Sequence, residues 1–303
     1  MYGGRSRFRT VILLTGATGT VGRALAPLLL ETGQPVRALV RDPRRLGRRR
    51  VDVQLALGDL ARLGDAHLRR QALRGVDTVI HLAAAIRDQA DAPVEEVTGL
   101  GTARLLHAAE AAGVERFVFF SAIGAVPFQR TRFFRAKALA EKAVAESALE
   151  TTIFAPSIVY DRDDRWVTNL RRLALLPLLP ISGSGRARFE PIWAEDVARC
   201  VMAALERDAT ERFELAGPEV LTYEQIARQV ARAAGRERPV VHMPLNLVRL
   251  TLRALRRAFG DAAFATWEEA ELLEVPMVSE RGTADARALG VEPRPMNEVL
   301  AGP

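Results

Sequence analysis

The stretch that most constrains this chain is Thr10 to Arg23, TVILLTGATGTVGR. Val11, Ile12, Leu13 and Leu14 form an unbroken apolar run, as a strand buried on both faces of a parallel sheet requires. Gly16, Gly19 and Gly22 follow at intervals of three, and a helical pattern runs from Ala24 to Leu30. A strand, a glycine turn and a helix in that order make a nucleotide-binding unit. The glycines allow a tight turn, close approach of backbone to a pyrophosphate, and close helix–sheet packing. The helix N-terminus then offers free N–H groups and partial positive charge. Thr18, Thr20 and Val21 fall in the same turn and are expected to share the contact. The spacing is Gly-x-x-Gly-x-x-Gly rather than Gly-x-Gly-x-x-Gly, so the flanking strand and helix carry the assignment.

Apolar runs and helical patterns alternate from there. Pro35–Arg41, Val51–Leu57, Val76–Leu82, Arg116–Phe120 and Thr151–Ala155 read as strands. Leu63–Leu73, Val94–Ala112 (closed by Gly113) and Thr131–Leu149 read as helices between them. Six such repeats predict an α/β fold, a doubly wound parallel sheet of Rossmann type with helices on both faces. Residues 1–160 are expected to form the dinucleotide-binding core. Residues 161–303 are expected to complete it and to add a small C-terminal α/β lobe for a substrate or partner. Past Arg162 the regularity breaks, and Pro177 and Pro180 interrupt the apolar segment RRLALLPLLPISGSG at 171–185. That segment reads as a buried connection, a substrate lid or a contact surface. Thr222 is placed to cap a helix over Tyr223–Ala234. Leu245–Phe259 reads as a basic amphipathic helix that either packs in the lobe or lies on a membrane surface.

Strand ends supply the remaining candidates. Arg41 closes the second strand, where a carboxylate would accept from both ribose hydroxyls and an arginine would pair with a 2′-phosphate. With Arg44 and Arg45 behind it, Arg41 favours NADP(H), while Asp42 keeps NAD(H) open. Asp59, followed by Leu60, is placed either to accept from the adenine amino group or to cap the next helix. Ala83 and Ala84 are small enough to let the cofactor pass close to the backbone, and Pro156 and Ser157 follow the sixth strand. His81, within a strand, reads as a core histidine.

The charge is +6 with arginine dominant. The arginines are spread over most predicted helices and aromatics make up only 6% of the chain, so no nucleic-acid surface is expected. The single Cys200 excludes an internal disulfide, no metal-ligand cluster is apparent, and no apolar run reaches membrane-spanning length. A cytoplasmic protein is expected, with a dinucleotide and either a small substrate or a protein complex as partners and at most peripheral membrane contact.

TGATGTVG at 15–22, GDL at 58–60, HLAA at 81–84, Ser121, Lys137 and APSIVY at 155–160 together resemble the extended and atypical short-chain dehydrogenase/reductase superfamily. FEPIWAEDVA at 189–198 and LAGPEVLTYEQIA at 215–227 resemble its C-terminal region. Within it the chain is most similar to the NmrA-like proteins and to the nucleotide-binding accessory subunit of respiratory complex I with its bacterial relatives. The resemblance implies a serine that polarises a carbonyl, a tyrosine that transfers the proton, and a lysine four residues later. That lysine lowers the phenol pKa and holds the nicotinamide ribose. Ser121 and Lys137 match. Phe133 occupies the tyrosine position, its neighbour is Phe134, and Thr98 stands where the family's asparagine aligns. The expectation is therefore an NAD(P)H-binding protein that is inert or weakly active, in an accessory or sensor role. The alternative is an NAD(P)H-dependent oxidoreductase on a carbonyl, quinone or similar substrate that does not use that tyrosine. Tyr160 is the candidate to replace the phenol.

Overall fold

The computed structural model describes residues 11–62, 65–89, 92–259 and 266–302. Thr10, the basic segment before it, and Leu63 at the start of the predicted second helix lie outside the described residues. The first half runs β1 (Val11–Thr15), α1 (Thr20–Glu31), β2 (Val36–Val40), β3 (Gln54–Leu57), α2 (Ala66–Leu73), β4 (Val76–His81), α3 (Gly101–Ala111), β5 (Arg116–Phe120), α4 (Arg132–Ala145) and β6 (Glu150–Pro156). The second half opens with β7 (Val159–Tyr160), α5 (Arg165–Leu173), β8 (Leu179–Ser182), β9 (Arg188–Phe189), β10 (Ile192–Trp193), α6 (Ala194–Glu206) and β11 (Arg212–Leu215). It closes with β12 (Leu221–Thr222), α7 (Tyr223–Ala233), β13 (Val240–Met243), α8 (Leu245–Phe259), α9 (Trp267–Leu272), α10 (Ala284–Ala288) and α11 (Met296–Ala301).

Among the described residues the main sheet has seven strands in the order β11-β6-β5-β4-β1-β2-β3, all paired in parallel. Alternation along β1 divides its side chains between two layers. Ile12 and Leu14 pack with Leu25 and Leu29 of α1 and Val197 and Val201 of α6. Val11 and Leu13 pack with Leu68 of α2, Leu105 of α3 and Ala140 of α4. Leu13 and Leu14 are wholly buried. Each contributes roughly 1.5–3 kcal/mol of transfer free energy, so the continuous apolar run is what fixes β1 in the sheet centre. A third cluster, built on Tyr160, Leu179, Phe189, Ile226 and Met296, forms the core of the C-terminal lobe.

Three segments differ from the sequence expectation. Residues 43–51 form tight 3-10 turns broken at Gly47, which has φ 62°, so β3 begins at Gln54 rather than Val51. Asp42 starts those turns by accepting from the Arg44 N–H. The predicted helix 94–112 opens with a wide turn at Glu96–Leu100 before α3. Within 171–185, β8 pairs with β13 in a separate two-stranded ribbon. Pro180 is tolerated there because the ribbon leaves each strand one free edge. Thr222 caps α7 as expected, in a capping box with Gln225.

Candidate functional site

The sheet changes direction at β1, with β2 and β3 on one side and β4, β5 and β6 on the other. In doubly wound sheets the crevice beyond the carboxyl ends of the strands at this point is where ligands bind. The glycine turn leaves β1 there. Gly16 has φ +72°, and a Cβ on it would lie 2.7 Å from the Ala83 nitrogen. A Cβ on Gly22 would lie 2.3 Å from the Gly16 carbonyl oxygen. These two glycines are therefore required for the turn to close against β4 and α1. Gly19 differs: it is exposed and caps α1 without a side-chain capping hydrogen bond. Thr18, Thr20 and Val21 are half-buried around it, and no acidic residue occupies the first turn of α1.

Across the crevice, the backbone after β4 is fixed by a buried polar chain that the sequence did not announce. The Ala83 N–H donates to Thr15 Oγ1 (3.3 Å), and Thr15 Oγ1 bonds His81 Nδ1 (2.7 Å). His81 Nε2 bonds Thr102 Oγ1 (2.9 Å), whose hydroxyl donates to the Thr98 carbonyl (2.7 Å). Thr102 has spent its proton, so His81 carries its hydrogen on Nε2 and accepts at Nδ1. Thr98 Oγ1 in turn accepts from the Ala85 N–H and donates to the Ala85 carbonyl, both at 3.0 Å. Burial, with Lys137 nearby, pushes the imidazole down to about 3, so His81 is a neutral structural group. Ala84 is exposed and Ala83 half-buried at the crevice.

At the end of β2, Arg41 is exposed, and its guanidinium donates to Gln89 Oε1 (3.2 Å) and lies 3.7 Å from Asp59 Oδ2. Asp59 Oδ1 accepts from the Ala61 N–H (3.0 Å) in the short 3-10 turn Leu60–Arg62, whereas α2 is capped by Asp65. Leu60 is buried in the core. Next to the glycine turn, Arg23, Arg45, Arg48 and Arg49 rim a cleft of about 320 Å³ floored by Leu14, Ala17, Ala26 and Ala38. The Arg49 guanidinium holds the Arg23 carbonyl at 2.6 Å, which ties the 43–51 turns to α1. Of this set Arg45, Arg48 and Arg49 belong to the arginine cluster that stands out at 41–50 of the sequence, whereas Arg23 carried no such signal.

Beyond β5, the Lys137 ammonium donates to the Phe120 carbonyl and stands 4.9 Å from the Phe119 ring centroid and 5.9 Å from that of Phe133. Desolvation lowers Lys137 to about 7, against a weaker opposing pull from Glu141. Phe133 is half-buried and meets Phe134 edge-on, in an apolar wall with Ala125, Leu272 and Val275. The Ser121 hydroxyl donates to Glu141 Oε2, and Arg212 Nε holds Glu141 Oε1 at 2.7 Å. Glu141 is the neighbour that the sequence reading lacked, although its place four residues after Lys137 puts both on one helix face.

Two predicted residues point elsewhere. Ser157 is buried, with its hydroxyl donating to the Met277 carbonyl (2.7 Å) and accepting from the Glu190 N–H (3.1 Å). Pro156, also buried, ends β6 beside it. Tyr160 is fully buried in the lobe core, and its phenol oxygen has no hydrogen-bond partner among the described residues. Burial, reinforced by Asp196, pushes its pKa well above the usual phenol range. A tyrosine so enclosed cannot hand a proton to the crevice. Its place is the packing role rather than that of a replacement acid. Cys200 is likewise buried, and burial raises its thiol to about 12.

A parallel sheet with this strand order, a closed glycine turn at its switch point and an open helix N-terminus define a dinucleotide-binding protein. A family profile described as NAD(P)H-binding matches residues 16–208, and the chain belongs to that family. It is 30% identical over 255 residues to the NAD(P)H azoreductase of Xenophilus azovorans, covering 82% of this chain and 80% of that protein. It is 29% identical over 245 residues to the mitochondrial NADH dehydrogenase [ubiquinone] 1 alpha subcomplex subunit 9 of Arabidopsis thaliana. That match takes in 74% of this chain but only 58% of the plant subunit's length. Among solved structures, gox2253 superposes with a TM-score of 0.71 at 27% identity, over 96% of each chain. The protein is thus an oxidoreductase-like NAD(P)H binder related both to reductases and to complex I accessory subunits. Among the described residues no helix is long and apolar enough to cross a membrane.

Proposed function

We propose that this protein binds NADP(H) in preference to NAD(H) and does not carry out carbonyl reduction by the tyrosine-dependent route. The pyrophosphate lies over Gly19 and the N-terminus of α1, flanked by Thr18, Thr20, Val21 and the Ala83–Ala84 backbone. Arg41 and Arg45 take the 2′-phosphate, a reading supported by Arg23, Arg45, Arg48 and Arg49 around the cleft beside the glycine turn. The nicotinamide ribose is held by Lys137, and a cofactor-dependent accessory or sensor role follows.

Phe133 carries this reading. Four residues before Lys137, it presents a benzyl ring to the lysine instead of a phenol. A phenyl group neither donates nor accepts a proton, so hydride delivered to a carbonyl would leave an unprotonated alkoxide. Ser121 does not repair the defect, because its hydroxyl proton is committed to Glu141. Calorimetric titration with NADPH and NADH, followed by NADPH oxidation assays against aldehydes, ketones, quinones and azo compounds, tests the proposal. Tight NADPH binding with negligible turnover is expected. Equal affinity for NADH removes the arginine assignment, and fast turnover removes the inert reading.

A second reading keeps turnover. The buried Lys137, lowered to about 7, is itself able to release a proton near neutrality. The azoreductase relative shows that reduction is compatible with a related chain. In that case Lys137 is the acid, and the pH profile of turnover follows its titration.

A further inference from the structure

We infer that α8 is a docking surface for an anionic phospholipid bilayer. The helix spans Leu245–Phe259, LNLVRLTLRALRRAF, and contains no acidic residue. Its two sides differ. Leu252 is buried and Leu245 and Val248 are half-buried, spaced for one inward stripe. Leu250 is 67% exposed and Leu247 46% exposed, and Ala254 is exposed one turn further along the same outer side. Arg249, Arg253 and Arg257 recur every four residues along the flank of this outer stripe, and all are exposed. No carboxylate among the described residues forms an ion pair with any of the three, and Arg249 stacks instead at 5.5 Å on the Trp267 ring.

A helix that only packed in the lobe would need its inward stripe alone. Here a second apolar stripe faces outward beside arginines that form no ion pair among the described residues. Leucines that enter the acyl boundary while arginines meet phosphate head groups are the pattern of an interfacial helix lying in the membrane plane. Charge complementarity selects the occupant: a row of arginines without carboxylates, on a chain of net charge +6, fits a negatively charged lipid surface. The ribbon that launches the helix carries a matching feature. Immediately before β8, Leu175, Leu176 and Leu178 are 47–58% exposed, next to the exposed Arg172 at the end of α5, whose neighbour Arg171 pairs with Asp163 at 3.3 Å. The helix contacts α9, whose Leu272 packs in the apolar wall with Phe133, so one short helix links α8 to the crevice.

Flotation of the full chain with vesicles of phosphatidylcholine alone, or of phosphatidylcholine with phosphatidylglycerol, tests the inference. Binding to the anionic vesicles, none to the neutral ones, and release by high salt are expected. Arg253→Glu with Arg257→Glu should lower partitioning well over tenfold, at roughly fivefold for each basic charge removed and more on reversal. Leu250→Glu should abolish it. All these positions are exposed, so thermal unfolding and NADPH binding should stay at parental values. This separates the result from the cofactor assignment. Failure of the parent protein to float with anionic vesicles overturns the inference, as does binding that survives both variants. A concentration-dependent dimer in analytical ultracentrifugation that Leu250→Glu dissolves, without vesicle binding, gives the surface to a second copy of the chain.

Discussion

The ring of Phe133 lies 5.9 Å from the ammonium of Lys137, one turn away on α4. The lysine is therefore packed against hydrocarbon on that side, and its proton is drawn down toward neutrality by burial rather than shared with a phenol. Restoring the hydroxyl is the direct test. Phe133→Tyr should raise NADPH-dependent carbonyl reduction by about 10²–10⁴ over the parent if proton donation is the missing element. The variant and the parent are compared in single-turnover NADPH oxidation. No gain would mean that hydride transfer, or access to the crevice, is limiting.

Arg41→Ala should weaken NADPH binding by on the order of 1.5–3 kcal/mol, roughly ten- to hundredfold, the worth of one charged hydrogen bond. NADH affinity should hardly move. Arg45→Ala should act in the same direction, because Arg45 rims the cleft beside the glycine turn. Calorimetry with each cofactor reads the difference. Parallel losses for the two cofactors would assign these arginines to folding instead.

The two kinds of glycine should separate cleanly. Gly22→Ala puts a methyl 2.3 Å from the Gly16 oxygen, where backbone must shift, and should destabilise the chain by roughly 1–3 kcal/mol or more. Gly19→Val places its side chain at the exposed cap, 3.2 Å from the nearest neighbouring atom. That variant should fold and lose cofactor binding. Urea unfolding and NADPH titration on both proteins give four numbers. Retained binding in Gly19→Val would move the phosphates elsewhere.

Lys137 also sets a pH dependence of stability. Its folded pKa is about 7 and the ordinary value is 10.5. Between them the unfolded chain holds a proton that the folded chain has released, so stability should rise with pH through that window. Below about 7 both states are protonated and the full penalty of the buried charge applies. Lys137→Met should consequently be more stable than the parent at pH 7 and below. Its advantage should shrink toward pH 10. Denaturant unfolding across that range measures it, and a constant difference would show that the lysine titrates normally.

The strands and the glycine turn were legible because buried runs such as Val11–Leu14 and Phe117–Phe120 carry their own signal. The helices around them showed an apolar period. Residues 43–51 were not legible as 3-10 turns, since an arginine run has no period and Gly47 alone marks the break. The β8–β13 ribbon hid behind Pro177 and Pro180. In the site, the glycines were marked by spacing, Arg41 by its place at a strand end, and Phe133 and Lys137 by the resemblance to the dehydrogenase superfamily. What could not be found were pairings between distant residues: Ser121 with Glu141 and Arg212, His81 between Thr15 and Thr102, and Arg41 with Gln89. The surroundings of Ser157 and Tyr160 were hidden for the same reason: Met277 and Glu190, which bond Ser157, and the apolar cluster that encloses Tyr160 arrive from later in the chain.

β11 gives the fold a timetable. This strand, at Arg212–Leu215, is the partner of β6 on its outer side among the described residues, with Phe213 beside Phe154. Leu25 and Leu29 of α1 are covered by Val197 and Val201 of α6. During synthesis, a ribosome that has delivered β1 to β6 has not yet released either cover. The nascent chain must wait with an open strand edge and a bare leucine face until Leu215 clears the exit tunnel. A stall or stop codon before that point should produce a product that chaperones retain and proteases remove.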